Sequence, residues 1–325
     1  MKKTLTLLLV LMALLGLATG CGHKNGTYRG TTIKLGGLKG PTTMGMVKLL
    51  DNAENGKTAN TYEFTMGITA DELTPKLLKG ELDVLAVPAN LGSILYNNSD
   101  GAVQMIAVNT LGVIYIVEKG GNEINNLTDL KGKTIYATGK GTTPEFTLTY
   151  LLGQYGLEIG KDVYVEWKSE PTETVAAMAP KENAVAMIPQ PFVTVAQNQL
   201  KDLRIAIDLN DEWEKLNNGR GSVTAGLIVR KDFAESHSEE LAKFIEEYSE
   251  STRYVNENPA EAALLVEKYG IVKAEIAQKA IPYCNIVCIT GKDMKTMTDG
   301  YLKVLYNQKA ASVGGKIPGD DFYID

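Results

Sequence analysis

The 325-residue chain carries 33 Lys and Arg against 39 Asp and Glu, a formal net charge of −6, with 44% hydrophobic and 22% charged residues. That balance suits a folded body and excludes a surface built on excess positive charge, so nucleic acid is not an expected partner. Two His and three Cys are too few for a zinc cluster or a disulfide framework, and no glycine-rich dinucleotide fingerprint occurs, so neither a metal nor a cofactor is expected.

Lys2 and Lys3, the apolar run from Leu5 to Leu17 and the small residues before Cys21 read as an export signal. The run is shorter than the roughly 20 residues that span a bilayer. Leu17-Ala18-Thr19-Gly20-Cys21 also resembles the bacterial lipobox, whose Cys is acylated and becomes the first mature residue. Residues 1–20 are therefore expected to be a signal peptide, Cys21 a lipidation site and residues 21–30 a tether on the outer face of a bacterial membrane. Cys284 and Cys288 are four apart, about 13 Å in an extended segment and too far for a disulfide, so both are expected as buried free thiols.

Thr31–Leu38 reads as a strand ending in glycines, followed by a helix over Pro41–Asn52. Tyr62–Thr69 is a second strand, Glu72–Lys79 a short helix, Asp83–Pro88 a third strand, and Leu91–Tyr96 another helix. Strands that are continuously apolar rather than alternating indicate a parallel sheet covered on both faces. Val103–Lys119 is too long for one strand and holds Gly112 near its middle, so it reads as two halves passing from one lobe to the next. The rhythm then restarts with strands at Thr134–Thr138, Val163–Lys168, Ala184–Ile188 and Leu203–Asp208, alternating with helices. Thr224–Arg230 reads as the return crossing, after which only helices are expected, at Asp232–Val255, Pro259–Tyr269, Lys273–Ile281 and Lys292–Tyr306, and the Gly/Pro-rich tail Ser312–Asp325 is expected on the surface.

The fold expected is α/β with two lobes, each a mostly parallel sheet flanked by helices. Residues 31–112 and 224–325 form lobe 1 and residues 113–223 lobe 2, with hinges at Leu111, Gly112 and Val113 and at Thr224 and Ala225. Two small-residue loops, Gly40-Pro41-Thr42-Thr43 and Gly139-Lys140-Gly141-Thr142-Thr143, each follow a strand and open a helix. Backbone N–H groups and hydroxyls at such a place suit an anion or a carbonyl oxygen. The same residues also serve plain turn geometry and capping. Lys39 and Lys140 flank the loops. Tyr115, Tyr136, Trp167, Phe192 and Trp213 either line an aromatic wall or sit in the core. None of the five Arg (29, 204, 220, 230 and 253) falls in a candidate loop, which argues against an amino-acid α-carboxylate as ligand, with Arg220, just before the return crossing, as the one exception.

GGLKGPTTMG, DVLAVPAN, LGVIYIVEKG, DLKGKTIYATGKGTTPE, AMIPQPFVTVA and AGLIVRKDF, in that order after a lipobox, resemble a type II periplasmic-binding-protein fold. More narrowly, they are similar to solute-binding lipoproteins of the nitrate/sulfonate/taurine/thiamine-precursor branch of ABC importers, over about residues 30–310. The resemblance implies a monomer that closes on one small molecule and then docks on a permease. By position it implies ligand contacts at Gly40, Pro41, Thr42 and Thr43, at Pro88, Ala89 and Asn90, at Gly139, Gly141, Thr142 and Thr143, and at Gln190. Asn90 has a rival role as N-cap of the helix at Leu91. Many members carry Glu-Pro where this chain has Gln190-Pro191, which removes a negative charge from the cleft. A receptor presenting ligand to a sensor is the alternative reading. An enzyme of the pyrimidine- or menaquinone-precursor type is a further one, although His23 and His237 lie in polar surroundings unsuited to a buried base, so no catalytic residue is expected.

Overall fold

The computed structural model describes residues 30–324. The signal peptide, Cys21 and the tether as far as residue 29 lie outside the described residues. The first sheet runs β2 (Thr61–Gly67), β1 (Thr32–Leu38), β3 (Val84–Pro88), β10 (Ala225–Arg230), β4 (Val103–Thr110) and β11 (Ile286–Ile289). The second runs β7 (Tyr164–Lys168), β6 (Thr134–Thr138), β8 (Ala184–Pro189), β5 (Ile114–Lys119) and β9 (Leu203–Asp208). β1 pairs parallel with β2 and β3, and β10 is inserted antiparallel between β3 and β4. In the second sheet β6 pairs parallel with β7 and β8, and β5 is inserted antiparallel between β8 and β9. The two lobes therefore repeat one topology: four strands point one way, and the strand arriving from the other lobe is threaded in reverse. Connecting helices cover the faces, which is why β3, β5 and β8 are buried along nearly their whole length.

Four local expectations change. The helix expected over Pro41–Asn52 is two helices, Pro41–Met44 and Val47–Glu54. Ser251, from the helix Ser238–Glu257, inserts its hydroxyl where the Leu49 N–H would meet the Gly45 carbonyl, accepting from the first at 2.9 Å and donating to the second at 2.6 Å. The helix expected over Asp232–Val255 breaks at His237, which adopts non-helical backbone between Lys231–Ser236 and Ser238–Glu257. The segment after the return crossing is not helical throughout, because β11 adds an antiparallel edge to β4. Finally, the tail is not a surface strap. Val313 and Phe322 are fully buried, the Ile324 N–H bonds to the Met105 carbonyl at 3.0 Å, and Ser93 donates to the Val313 carbonyl at 2.7 Å. The aromatic pair Phe322-Tyr323 outweighs the surrounding Gly, Pro and Asp.

Cys284 is a buried free thiol, whereas Cys288 is only half-buried. Burial alone pushes the Cys284 thiol up to about 12 and, as the main cause, the Cys288 thiol up to about 11, so both stay protonated and unreactive at neutral pH.

Candidate functional site

The carboxyl ends of β1 and β3 in lobe 1, and of β6 and β8 in lobe 2, deliver their following loops toward the two crossings. Open α/β sheets place ligands there, where loops diverge and helix N-termini converge. A cleft of about 410 Å³ lies between the lobes, with Pro88, Leu91, Val113, Ile114, Pro144 and Pro189 as apolar walls. Asn90, Thr142, Thr143 and Thr224 are its polar residues. A second cavity of about 440 Å³ lies at the other end of the lobe 2 strands, around Lys119, Thr134 and Val185. Most of its charges are paired: Lys133 meets Glu123 at 2.6 Å, Lys119 meets Asp202 at 3.6 Å, and Glu118 pairs with Arg204.

Of the residues expected to touch ligand, Pro88, Asn90, Thr142 and Thr143 line the cleft, as do Val113 and Thr224 from the crossings. Asn90 is not the N-cap, because the helix Ala89–Asn98 begins before it with Pro88 at the cap position. Its Nδ2 donates to the Ser312 carbonyl at 3.1 Å, and its Oδ1 accepts from Thr143 Oγ1 at 3.4 Å across the two lobes. Ala89 is buried, and its N–H bonds to the Thr224 carbonyl at 3.1 Å. Gly139 and Gly141 both have positive φ, 85° and 76°, which sets the turn that leads into the helix Thr143–Gln154.

Gly40, Pro41, Thr42 and Thr43 stand outside the cleft walls. Thr42 and Thr43 both donate their hydroxyls to the Leu38 carbonyl, at 3.1 and 2.6 Å, and the Thr42 carbonyl accepts from Asn109 Nδ2 at 2.9 Å. Gln190, beside the cleft wall Pro189 and before a cis Pro191, is buried. Its Oε1 accepts from Thr194 Oγ1 at 3.0 Å, while its Nε2 is buried without a partner among the described residues. Of the aromatic candidates, Tyr115 and Trp213 are core residues at 1% and 2% exposure. Lys39, Lys140 and Arg220 are exposed and are not cleft walls.

The crossings are held by two asparagines that sequence reasoning passed over. Asn210 Oδ1 accepts from the Gly112 N–H at 3.1 Å and from the Ser222 N–H at 3.0 Å, tying the outgoing crossing to the returning one. Asn285 Nδ2 donates to the Gly112 carbonyl at 2.5 Å, and the Leu111 N–H donates to the Asn285 carbonyl at 3.0 Å. A Cβ on Gly112 would meet Ser222 Oγ at 2.5 Å and Asn210 Cβ at 2.7 Å, so only glycine fits at that point. Lobe-to-lobe contacts continue away from the crossings. Tyr115 donates to the Tyr283 carbonyl at 2.7 Å, and Gln308 Nε2 donates to the Phe146 carbonyl at 3.0 Å.

Asp208 caps the helix Leu209–Leu216, accepting from the Asn210 N–H at 2.8 Å, and pairs with Tyr115 across β9 and β5. Burial raises its carboxyl from 3.8 to about 6, with Asp211 adding to the rise and backbone N–H groups opposing it. The folded state thus holds a proton that the unfolded chain has already lost. The Asp208 contribution to stability therefore grows as pH falls through about 6 toward 3.8 and is flat outside that window. The expected result is a melting-temperature difference between wild type and Asp208→Asn that shifts in favour of wild type between neutral pH and pH ~4.5. A difference that stays constant over that range would contradict it.

A family model described as menaquinone biosynthesis matches residues 41–285. The chain belongs to the menaquinone-biosynthesis family. No curated protein matches the chain. Among solved structures, an ABC transporter from Parabacteroides distasonis superposes on this family member with a TM-score of 0.75 at 24% identity, covering 90% of this chain and 99% of that one. The periplasmic aliphatic sulphonate binding protein SsuA from Escherichia coli gives 0.69 at 15% identity, covering 89% and 92%. The periplasmic nitrate-binding protein NrtA from Synechocystis PCC 6803 gives 0.61 at 14%, covering 86% and 82%. At these identities the likeness is one of fold, and the fold is that of the two-lobed periplasmic binding proteins.

Proposed function

We propose that the protein is an extracytoplasmic solute-binding protein, anchored through Cys21, that captures one small organic molecule between its lobes and passes it to an ABC importer permease. The observation that carries this reading is the cleft itself. It sits at the strand ends of both lobes, beside two crossings that can act as a hinge at Leu111, Gly112 and Val113 and at Thr224 and Ala225. Apolar walls with a few uncharged polar groups are the usual make-up of a small-molecule site. A ligand touching both lobes favours the closed arrangement by the margin with which it binds that arrangement better.

The family match supports a second reading, an enzyme acting on a menaquinone precursor. The cleft walls favour binding over chemistry, because none of the ten residues lining it is an acid, a base or a nucleophilic thiol. His237 sits away from the cleft, stacked on Phe233 at 4.6 Å between ring centres. Mass analysis of any molecule incubated with the protein separates the two readings, since a binding protein returns it unchanged.

The test uses the blocking variant Leu91→Trp, with Thr142→Trp at an exposed wall position as its partner. In a thermal-shift screen across small organic molecules, wild type is expected to gain several degrees with at least one compound, as a ligand bound only by the folded form stabilises it by mass action. Both variants should lose that gain while melting close to wild type when free. A shift that persists in both variants would place the site elsewhere.

A further inference from the structure

The lobe 2 loop is placed to offer donors, yet the Gly141 and Thr142 N–H groups and both threonine hydroxyls are already used within the structure. The Gly141 N–H donates to the carboxylate of Glu145, the third residue of the helix that this loop opens. Thr142 Oγ1 lies 2.7 Å from the Gly139 carbonyl, which can only accept, so the hydroxyl has given its proton inward. Thr143 Oγ1 is settled by the same logic. The Ser312 carbonyl fixes Asn90 with its Nδ2 facing Ser312, so Oδ1 faces Thr143, and the Thr143 hydroxyl must donate to it. The two threonine hydroxyls that line the cleft therefore offer it lone pairs, and the Glu145 carboxylate belongs to the same loop without being a cleft wall. No Lys or Arg lies in the cleft walls to balance that charge, and Lys140 is exposed beyond them.

We infer that the cleft selects a non-anionic ligand, an apolar-bodied small molecule that is uncharged or cationic and donates N–H or O–H groups to Thr142 and Thr143, and that Glu145 excludes anions. This rests on the cleft being the ligand site. It parts company with the nitrate and sulphonate ligands named for two of the structural neighbours. An oxyanion entering this loop would meet two hydroxyls whose protons point away from it and a like charge at the helix start. A donor-bearing molecule finds partners for its polar edge and, in Leu91, Val113, Ile114 and Pro144, a surface for its apolar body.

The test is calorimetric titration of the mature protein with matched pairs: nicotinamide and nicotinate, benzamide and benzoate, benzenesulfonamide and benzenesulfonate. Each pair holds shape nearly constant while exchanging a charge for a donor. For at least one pair the amide is expected to bind about tenfold or more tighter than its acid. In Glu145→Gln, whose amide oxygen can still accept from Gly141, that ratio should fall by about tenfold, since only the charge is removed. Tighter or equal binding of the acids, an unchanged ratio in Glu145→Gln, or no binding by any member of the three pairs would overturn the inference. Binding that survives both Leu91→Trp and Thr142→Trp would overturn instead the reading of the cleft as the site.

Discussion

Trp213→Ala is expected to lower the unfolding free energy by about 3–5 kcal/mol, measured by chemical denaturation. Trp213 is 2% exposed and lies at the centre of an aromatic cluster drawn from both lobes. Its ring centre is 4.8 Å from Tyr150 of the lobe 2 helix Thr143–Gln154 and 5.3 Å from Tyr301 of the lobe 1 helix Gly291–Gln308. Both contacts are tilted, the arrangement in which aromatic pairs add about 0.5–1.5 kcal/mol beyond burial. The loss has a second consequence, because the Tyr301 contact exists only where the lobes meet. Removing it weakens the contact between the lobes, so apparent ligand affinity should fall if that contact favours the binding-competent arrangement. Trp213→Phe keeps a ring in place and should recover most of the stability. A loss under about 1 kcal/mol for the alanine variant would mean that the cluster is loosely packed.

The second large effect is expected at the crossings between the lobes. Asn210 is 5% exposed, and its single Oδ1 accepts from backbone N–H groups on both crossings. Asn210→Ala leaves the Gly112 and Ser222 N–H groups buried without that acceptor, at about 1–3 kcal/mol each, so a destabilisation of about 2–6 kcal/mol is expected. The distinguishing readout is local. Hydrogen exchange at the Gly112 and Ser222 amides should accelerate more than at the strand amides of β5 and β8, because the crossings come apart before the sheets do. Asn210→Asp, which retains an acceptor, should restore part of the protection. Unchanged exchange at both amides in the alanine variant would show that the crossings are held by other contacts.

The alternation of strands and helices was legible because it is written in local pattern. Continuous apolar runs such as VLAVP and AVAMIP mark buried parallel strands, and the interruption at Gly112 marks the passage between lobes. What local pattern does not carry is a partner distant in the chain. The break at Gly45 depends on Ser251, some two hundred residues later, and the burial of the tail depends on Ser93 and Met105. The cleft was half legible. Thr142, Thr143, Pro88 and Asn90 follow from the strand-loop-helix reading, whereas Leu91, Ile114 and Pro189 look like ordinary apolar residues until the lobes face each other. Glu145 had a sequence signal, the Thr142-Thr143-Pro144-Glu145 spacing of a capping box, in which the acid reaches back to an N–H at the helix start. That spacing could have shown that part of the loop was already satisfied from within. Asn210 and Asn285 had none, since an asparagine in a polar stretch is far more often a turn residue than a hinge clamp.

Native mass spectrometry of the protein purified gently from the cells that make it tests the central claim whatever the ligand is. Wild type should carry a small organic molecule at one equivalent, and Leu91→Trp and Thr142→Trp, folded and equally abundant, should carry none. A wild-type protein that is always empty, or a molecule retained by both blocked variants, would contradict capture between the lobes.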